Sequence, residues 1–291
     1  GHEATIGDDR LMPVREARRI LVIGGGPAGM EAARVAARRG HRVTLAEAMP
    51  DLGGTLALAA RAPRRQSLND LIEWLSAEVY TEGVEVRLST YVDAEDPVLR
   101  EADHVVLATG AEPRMDGVQL SHPGEPVAGI DRPHVISSNE LFVGAGAHGD
   151  SALVIDDVGH YEGLACAEAL VQAGCAVTLV TRLPTLAPAM RPALMVDPAL
   201  ERLGNERFTC HVRTRALAIE DATALVQPVT GGAAWRVPAE RVVFVSANRP
   251  RREVVPALEA AGVPYTRVGD ADAPRYLVRA MADGNAAGRN I

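Results

Sequence analysis

The sequence predicts an α/β protein built on parallel sheets. Two segments, 18–48 and 152–181, carry this prediction, because each has an apolar run, a turn, a helix of small residues and a second apolar run. Short apolar runs bounded by turns are typical of strands buried on both faces. Strands that alternate with helices are typical of βαβ units. We therefore predict two Rossmann-like domains, the second inserted in the first.

The first segment reads RRILVIGGGPAGMEAARVAARRGHRVTLAEA. Residues 20–23 predict a strand, 30–39 a helix and 41–46 a second strand. Gly24, Gly26 and Gly29 have the spacing G-x-G-x-x-G across the turn. In a dinucleotide-binding turn the first glycine permits the tight turn, the second lets a pyrophosphate approach the backbone, and the third lets the helix pack closely on the sheet.

The ligand predicted for this turn is an adenine nucleotide. A helix N-terminus offers free N–H groups and a partial positive charge to phosphates. Glu47 lies 18 residues beyond Gly29, at the end of the second strand, where a carboxylate can accept hydrogen bonds from ribose hydroxyls. A carboxylate at this position disfavours a 2′-phosphate.

Further candidate contacts lie where other strands end. The segment LGGTL at 52–56 has a glycine pair after the second strand, and in HVVLATG at 104–110 and RVGDA at 267–271 a short strand runs into a turn that contains glycine. Open parallel sheets bind ligands at the carboxyl ends of their strands. The candidate nucleotide-binding residues are Gly24, Gly26, Pro27, Ala28, Gly29, Glu47, Ala48, Gly53, Gly54, Thr55, Val92, Thr109, Gly110 and Asp270.

The second segment lacks the glycines of a phosphate-binding turn. If Gly163 is matched to the third glycine, Val158 and His160 take the positions of the first two. Asp156 and Asp157 end the strand, and one carboxylate about 5 Å from a phosphate charge costs on the order of 3 kcal/mol, or roughly a hundredfold in affinity. We therefore expect no NAD(P) in this site.

Several other residues near this turn have two interpretations. His160 and Tyr161, beside the two aspartates, could form an acid/base cluster, but an Asp at such a turn more often bonds free helix N–H groups. Arg182, after the strand, could contact a 2′-phosphate or be a solvated surface charge. Cys166 and Cys175 lie on or beside a helix of small residues, where core packing is favoured.

Composition narrows the class of protein. The net charge of −8 argues against nucleic acid as a partner. No apolar run approaches the roughly 20 residues that span a membrane. The three cysteines form no CxxC pair, so we expect reduced thiols in a cytoplasmic protein and no cysteine-rich metal site.

The predicted first domain is discontinuous. It comprises 1–112 and 251–291, which form an ADP- or FAD-binding domain. Residues 150–250 form an NAD(P)-like domain with a degenerate phosphate loop. The segment 113–149 is rich in glycine and proline and predicts an irregular linker.

Together these motifs resemble the flavoproteins with two dinucleotide-binding domains. GGGPAG with Glu47, the LGG of 52–54, the ATG of 108–110 and the GDA of 269–271 carry the resemblance. More narrowly, GDADAPRYL at 269–277 and MDGVQLSHPGEPVAGIDRPHVISSNEL at 115–141 are similar to segments of the trimethylamine dehydrogenase, histamine dehydrogenase and 2,4-dienoyl-CoA reductase family. The resemblance is collinear and covers nearly the whole chain.

The resemblance implies a function for the chain within a larger enzyme. Members of that family begin with a barrel that carries FMN, followed by an iron–sulfur cluster. This sequence starts, by resemblance, just after the last cluster cysteine. We expect FMN and the cluster on a partner subunit or on a missing N-terminal region. The degenerate second site is similar to the amine dehydrogenase branch, which has ADP in the first site and passes electrons to an electron-transferring flavoprotein.

Three functions remain open at this point. The first is an ADP- or FAD-binding module or subunit of an FMN/iron–sulfur amine-dehydrogenase-type oxidoreductase, not catalytic alone. The second is a free-standing FAD-dependent NAD(P)H oxidoreductase, suggested by the intact first turn. The third is a non-enzymatic docking subunit that has kept only the fold. No nucleophile, proton-transfer pair or metal cluster in the sequence indicates a catalytic site.

Overall fold

The structure is a computed structural model that describes residues 11–144, 149–204 and 207–291. The first nine residues, on which the predicted start after a cluster cysteine depends, lie outside the described residues.

The strands are β1 (Arg19–Ile23), β2 (Arg42–Ala46), β3 (Glu85–Arg87), β4 (His104–Leu107), β5 (Ala111–Glu112), β6 (Val135–Ser137), β7 (Ser151–Asp156), β8 (Ala176–Val180), β9 (Phe208–His211), β10 (Thr214–Ile219), β11 (Thr223–Pro228), β12 (Trp235–Pro238), β13 (Arg241–Val245), β14 (Arg249–Pro250) and β15 (Tyr265–Arg267). The α-helices are α1 (Pro27–Arg38), α2 (Thr55–Ala59), α3 (Leu68–Thr81), α4 (Val98–Glu101), α5 (Ser138–Val143), α6 (Tyr161–Gln172), α7 (Val196–Gly204), α8 (Val255–Ala261) and α9 (Leu277–Asn290).

The described residues divide into two compact units. Unit 1 comprises 11–60, 66–112 and 249–291, and unit 2 comprises 61–65, 113–144, 149–204 and 207–248. The short segment 61–65 belongs to unit 2, whereas the sequence analysis assigned it to the first domain. Its side chains explain the difference, because Arg61 donates to the Phe142 carbonyl and the Arg65 guanidinium lies over the Tyr161 ring.

Unit 1 is built on a five-stranded parallel sheet with the order β15-β4-β1-β2-β3. Alternate residues of a strand point to opposite faces, so β1 contributes to two cores. Ile20 and Val22 pack with α1, α3 and α9, whereas Leu21 and Ile23 pack in a second apolar cluster with β4 and α8. This burial on both faces accounts for the continuous apolar run of β1.

Unit 2 contains a second five-stranded parallel sheet, with the order β6-β13-β7-β8-β9. One face packs on α6 and α7. The other contributes Leu153 and Ile155 to a cluster shared with the antiparallel sheet β10-β11-β12. The predicted α/β class with parallel sheets is confirmed.

The prediction of an irregular linker over 113–149 is wrong for the C-terminal part of that segment. Strand β6 pairs with β13 in the unit 2 sheet, and helix α5 follows it directly. The helix begins at a capping box, in which the Ser137 hydroxyl accepts from the Glu140 amide and the Glu140 carboxylate accepts from the Ser137 amide. Serine followed three residues later by glutamate is a signal of a helix start, and the glycine and proline content around it obscured that signal.

Candidate nucleotide-binding site

The turn after β1 needs glycine at two positions for packing alone. Gly24 has φ +108°, and a Cβ there would lie 2.3 Å from the Ala108 carbonyl oxygen. A Cβ on Gly29 would lie 1.9 Å from the Gly24 carbonyl oxygen. These two residues therefore set the path of the turn and the close approach of α1 to the sheet, as their positions in the motif predict.

Gly26 differs from its neighbours because the space beside it is open. A Cβ built there has no other atom within 4 Å, and the backbone is extended, with φ −74° and ψ 178°. The packing of unit 1 therefore does not explain the absence of a side chain. A ligand that approaches the backbone explains it.

The N-terminus of α1 is available to an anion. Gly26 is the N-cap residue and has no side chain to accept the free N–H groups, Pro27 opens the first turn, and this turn has no acidic residue. Uncapped N–H groups and the helix dipole together favour a bound phosphate.

Glu47 is buried and holds the glycine turn. One carboxylate oxygen accepts the Gly25 amide at 2.6 Å, and the other accepts the Met49 amide at 2.7 Å. The sequence predicted a role toward ribose only, and this contact with the turn was missed. Each carboxylate oxygen has two acceptor positions, so capacity for ribose hydroxyls remains.

The LGG segment lies across the same turn. The Gly53 amide donates to the Gly25 carbonyl at 2.9 Å. Gly54 has φ +54°, and a Cβ there would lie 3.1 Å from the Gly26 Cα. Thr55 begins α2, and Ala48 is exposed after β2. The structure thus brings the two glycine motifs of the sequence into direct contact.

The carboxyl ends of β4 and β15 lie at the same edge of the sheet. They are linked by residues 251 and 252, where the chain has returned to unit 1. The Thr109 hydroxyl donates to the Arg251 carbonyl at 2.6 Å, and the Arg251 amide donates to the Gly110 carbonyl at 3.0 Å. The Arg252 guanidinium donates to the Ala271 carbonyl at 2.8 Å. Two neighbouring arginines, which the sequence analysis did not select, therefore tie the ATG and GDA turns together.

Asp270 lies in the GDA turn, a single turn of 3-10 helix. Its carboxylate accepts the Arg275 amide at 3.0 Å, and burial raises its pKa above the ordinary value. Gly269, with φ +58°, lies against the start of α1, since a Cβ there would be 2.9 Å from the Ala28 Cβ. Val92 is the exception among the candidates, because its side chain is buried in the apolar cluster beneath the sheet.

The turn after β7 in unit 2 is closed by its own aspartates. The Asp156 carboxylate accepts the Val158 amide at 3.0 Å and the Gly159 amide at 2.8 Å. The Asp157 carboxylate accepts the Leu120 amide at 2.5 Å and pairs with Arg182 at 2.9 Å. Arg182 is thus engaged in an ion pair, which weakens its interpretation as a 2′-phosphate contact.

The start of α6 is covered by aromatic and basic side chains. The His160 and Tyr161 rings meet edge to face at 4.6 Å, and the Arg65 guanidinium carbon lies 3.9 Å from the centre of the Tyr161 ring. The Tyr161 hydroxyl donates to the Met195 sulfur at 3.0 Å. Burial, and then the Arg65 charge, lower the pKa of His160. These contacts account for both rings as packing groups.

The remaining observations concern metal ligands, cysteines and membrane spans. Residues 11–144, 149–204 and 207–291 contain no group of three or more His, Cys, Asp or Glu that could hold a metal ion. Cys166 and Cys175 are buried in the unit 2 core, as the sequence predicts. In the same part of the chain, no helix is both long and apolar enough to cross a membrane.

The fold and the glycine-rich site define a nucleotide-binding oxidoreductase class. Residues 18–277 match the family model described as pyridine nucleotide-disulphide oxidoreductase, and the chain belongs to this family. The match includes every candidate nucleotide-binding residue from Gly24 to Asp270.

The similar proteins include several named for amine oxidation. The N,N-dimethylglycine/sarcosine dehydrogenase of Chromohalobacter salexigens is 39% identical over 56% of this chain and 23% of its own length. The NADH oxidase of Thermoanaerobacter brockii is 30% identical over 98% of this chain and 42% of its own length.

Two solved structures resemble the whole chain. The 6-hydroxypseudooxynicotine amine oxidase of Pseudomonas geniculata N1 superimposes with a TM-score of 0.93 at 30% identity, over 99% of this chain and 44% of that chain. The histamine dehydrogenase of Rhizobium sp. 4-9 gives 0.90 at 26% identity, over 97% and 45%. The predicted resemblance to the amine dehydrogenase flavoproteins is confirmed. The chain spans less than half the length of each of these four proteins.

Proposed function

We propose that this chain is the adenine-nucleotide-binding part of an FMN/iron–sulfur amine-dehydrogenase-type oxidoreductase. ADP or FAD binds in unit 1, and the resemblance to the amine dehydrogenases favours ADP. Unit 2 is a second Rossmann-like domain, inserted in the first, that takes no NAD(P). FMN and the iron–sulfur cluster belong to a barrel on a partner subunit or on another part of the same polypeptide. An electron-transferring flavoprotein is the proposed electron acceptor.

The observation that carries the proposal is the contrast between open and closed turns. In unit 1, Gly26 faces open space and α1 has no side-chain cap. In unit 2, the position matched to Gly26 holds His160, whose ring packs on Tyr161, and the buried Asp156 carboxylate lies against Gly163 at the start of α6. One open turn, and one turn that carries a bulky side chain and a buried carboxylate, fit a protein that holds one adenine nucleotide and does not receive hydride from NAD(P)H.

The residues that would hold the nucleotide follow from these contacts. The turn at Gly26 and the N-terminus of α1 would bind the pyrophosphate, and Glu47 would accept ribose hydroxyls. Gly54 and Asp270 border the same edge of the sheet. Bound ADP would order this edge without redox chemistry, whereas bound FAD would supply a two-electron carrier.

The test is the identity of the nucleotide that co-purifies with the chain. Acid denaturation followed by absorbance and mass measurement of the supernatant distinguishes ADP from FAD. Colourless protein that releases ADP supports the proposal in its favoured form. Protein that releases no adenine nucleotide, and binds none when ADP or FAD is added, contradicts it.

The alternative, a free-standing FAD-dependent NAD(P)H oxidoreductase, is favoured by one observation. The similar NADH oxidase covers almost the entire chain. This function requires FAD in unit 1 and a site for NADH or NADPH. Steady-state oxidation of either nucleotide by the isolated, FAD-loaded chain would support the alternative. Flavin that neither nucleotide reduces would eliminate it.

A further inference from the structure

The GDA turn is bound by one arginine of the chain that returns to unit 1. The Nε of Arg252 donates to the Ala271 carbonyl at 2.8 Å, and a terminal nitrogen of the same guanidinium donates to the Asp272 carbonyl. Two successive carbonyls therefore face a single planar group. The guanidinium carries its donors in a fixed fork that suits this arrangement, whereas a lysine has no such fork.

The backbone beside this arginine is fixed by the ATG turn. The Thr109 hydroxyl donates to the Arg251 carbonyl at 2.6 Å, and the Arg251 amide donates to the Gly110 carbonyl at 3.0 Å. Both bonds act on the residue just before Arg252. The guanidinium is thus supported at the end of β4 and contacts the turn that follows β15.

The two carbonyls that Arg252 binds belong to a chain of hydrogen bonds. Their peptide groups carry the amides of Asp272 and Ala273, which both donate to the Gly269 carbonyl at 3.1 Å. The Gly269 carbonyl in turn shares a peptide group with the Asp270 amide. Hydrogen bonds in series polarise one another, so the charge of Arg252 strengthens the Asp270 amide as a donor.

The amide at the end of this chain is available to a ligand. The amides of Gly269 and Asp270 donate to no group in the part of the chain that the structure describes. Gly269 has φ +58° and begins the 3-10 turn, and successive N–H groups in turns of this kind form anion-binding concavities. The turn lies against the start of α1, because a Cβ on Gly269 would be 2.9 Å from the Ala28 Cβ.

The charge of Arg252 is not neutralised by a carboxylate. None of the ion pairs among the described residues includes Arg252. The Asp272 carboxylate pairs instead with Arg275 at 3.2 Å and with Arg267 at 3.7 Å. A half-buried cation that binds only neutral carbonyls makes the potential around the turn more positive, which favours an anionic ligand there.

The turn at the corresponding place in unit 2 is bonded differently. Strand β6 takes the position in its sheet that β15 takes in unit 1. The helix start that follows β6 is closed by Ser137 and Glu140, because each side chain accepts the amide of the other residue. The GDA turn has no side-chain cap. Its amides are left to a ligand, and its carbonyls are bound by an arginine.

We propose that Arg252 is a positioning residue of the nucleotide site, which acts through the GDA turn and directs the Asp270 amide to a phosphate of the bound nucleotide. The inference rests on the proposed adenine nucleotide in unit 1, and it adds the residue that prepares this turn for a phosphate. Arg252 bonds only the turn, so it affects binding of the phosphates and leaves binding of the adenosine part unchanged.

The test compares ADP with adenosine, which lacks the phosphates. Calorimetric titration of nucleotide-free protein gives the ADP affinity, and competition with ADP gives the adenosine affinity. Arg252→Gln should lower ADP affinity by roughly tenfold and leave adenosine affinity unchanged, because the turn loses its fork of donors and its charge. Arg252→Lys should lose less ADP affinity than Arg252→Gln, since it keeps the charge and loses only the fork.

Arg267→Gln is the matched control for these variants. Arg267 approaches the same turn through the Asp272 carboxylate, with which it pairs. Its replacement should leave both affinities almost unchanged. An equal loss of ADP and adenosine affinity in Arg252→Gln would show a general structural role. A loss of ADP affinity in Arg267→Gln as large as in Arg252→Gln would show that the carbonyl contacts are irrelevant. Either result would overturn the proposal.

A second measurement uses the wild type alone. ADP should slow hydrogen exchange of the peptide that spans 268–274, and adenosine should not. Unchanged exchange with ADP bound would overturn the proposal, since the Asp270 amide would then face no phosphate. The proposal therefore stays testable even if Arg252→Gln does not fold.

The proposed function and the role of Arg252 fail in different ways. Wild-type protein that binds neither ADP nor FAD contradicts both. Wild-type protein that binds ADP, with an affinity that Arg252→Gln does not change, contradicts only the role of Arg252.

Discussion

The turns after β1 and β7 lie at the same place in two similar βαβ units, but different side chains surround them. In unit 1, the positive φ falls on Gly24 and the amides at the helix start are left to a ligand. In unit 2, the residue matched to Gly24 is Val158, and the positive φ falls one position later, on Gly159. A βαβ unit can therefore keep its fold while bulky side chains and a buried carboxylate stand where a phosphate-binding turn has glycines and open space.

The largest expected effect is on folding stability, from a substitution that disturbs the backbone of the unit 1 turn. Gly24→Ala combines a strained φ with a Cβ that would lie 2.3 Å from the Ala108 oxygen, and should cost roughly 3–5 kcal/mol of folding free energy. Urea unfolding in a Trp235→Phe background, where Trp74 reports unit 1, measures this cost.

Gly83→Ala is the matched control for this change. Gly83 has a similar positive φ of +76°, but no atom lies within 4 Å of its would-be Cβ. Strain alone predicts a loss of about 1 kcal/mol. Equal losses at Gly24 and Gly83 would show that the contact with Ala108 does not fix the turn.

The next substitution is expected to change nucleotide affinity without changing folding stability. Gly26→Val places a side chain in open space, on an extended backbone that any residue can adopt. We expect ADP affinity to fall at least about a hundredfold, or about 3 kcal/mol, with almost no change in the stability of the ligand-free protein. Calorimetric titration with ADP and urea unfolding of the same preparation measure both quantities. A stable variant that binds ADP normally would place the pyrophosphate elsewhere.

A smaller effect is expected at the residue that braces the open turn. In Glu47→Gln, one amide among Gly25 and Met49 must face an NH₂ group in place of an acceptor, which costs about 1–3 kcal/mol. ADP affinity should fall about tenfold, because the turn and the ribose acceptor both change. Glu85→Gln, an exposed carboxylate on β3, is the control and should leave ADP affinity unchanged.

The smallest effect concerns pH and the closed turn. The native pKa of Asp156, about 6, lies above its unfolded value of 3.8, so ionisation lowers native stability. The neutral carboxyl group makes its full contribution to the free energy of unfolding below pH 3.8. This contribution is lost as the pH rises through 6. Between pH 5 and 7 the wild type should lose about 1 kcal/mol more than Asp156→Asn. Unfolding in a Trp74→Phe background, read from Trp235 in unit 2, tests this, and parallel pH profiles would contradict it.

The sequence predicted the structure correctly where a residue type is required at a position for a single physical reason. The spacing of Gly24, Gly26 and Gly29 predicted the strand, turn and helix of unit 1, and the run of small residues in α1 matches its close contact with α9. There a Cβ on Gly284 would lie 2.3 Å from the Ala28 carbonyl oxygen. Periodicity and glycine spacing are local signals, so they survive without knowledge of the fold.

Sequence reasoning missed the roles of residues that have two possible partners. Glu47 binds the glycine turn as well as facing the predicted ribose site, and Gly163 looks like a remnant of a phosphate loop although it packs on Asp156. The contacts of Arg252 and Arg65 depend on segments distant in sequence. These roles are set by tertiary contacts, which a single sequence does not encode as a pattern.

The central claim is that the chain holds one adenine nucleotide, in unit 1. The most direct measurement is the number of adenine nucleotides released per chain from wild type, Gly26→Val and His160→Val after saturation with ADP and gel filtration. We expect one in the wild type, none in Gly26→Val and one in His160→Val, because His160 lies at the start of α6 in unit 2. Two nucleotides in the wild type, or one that persists in Gly26→Val, would contradict it.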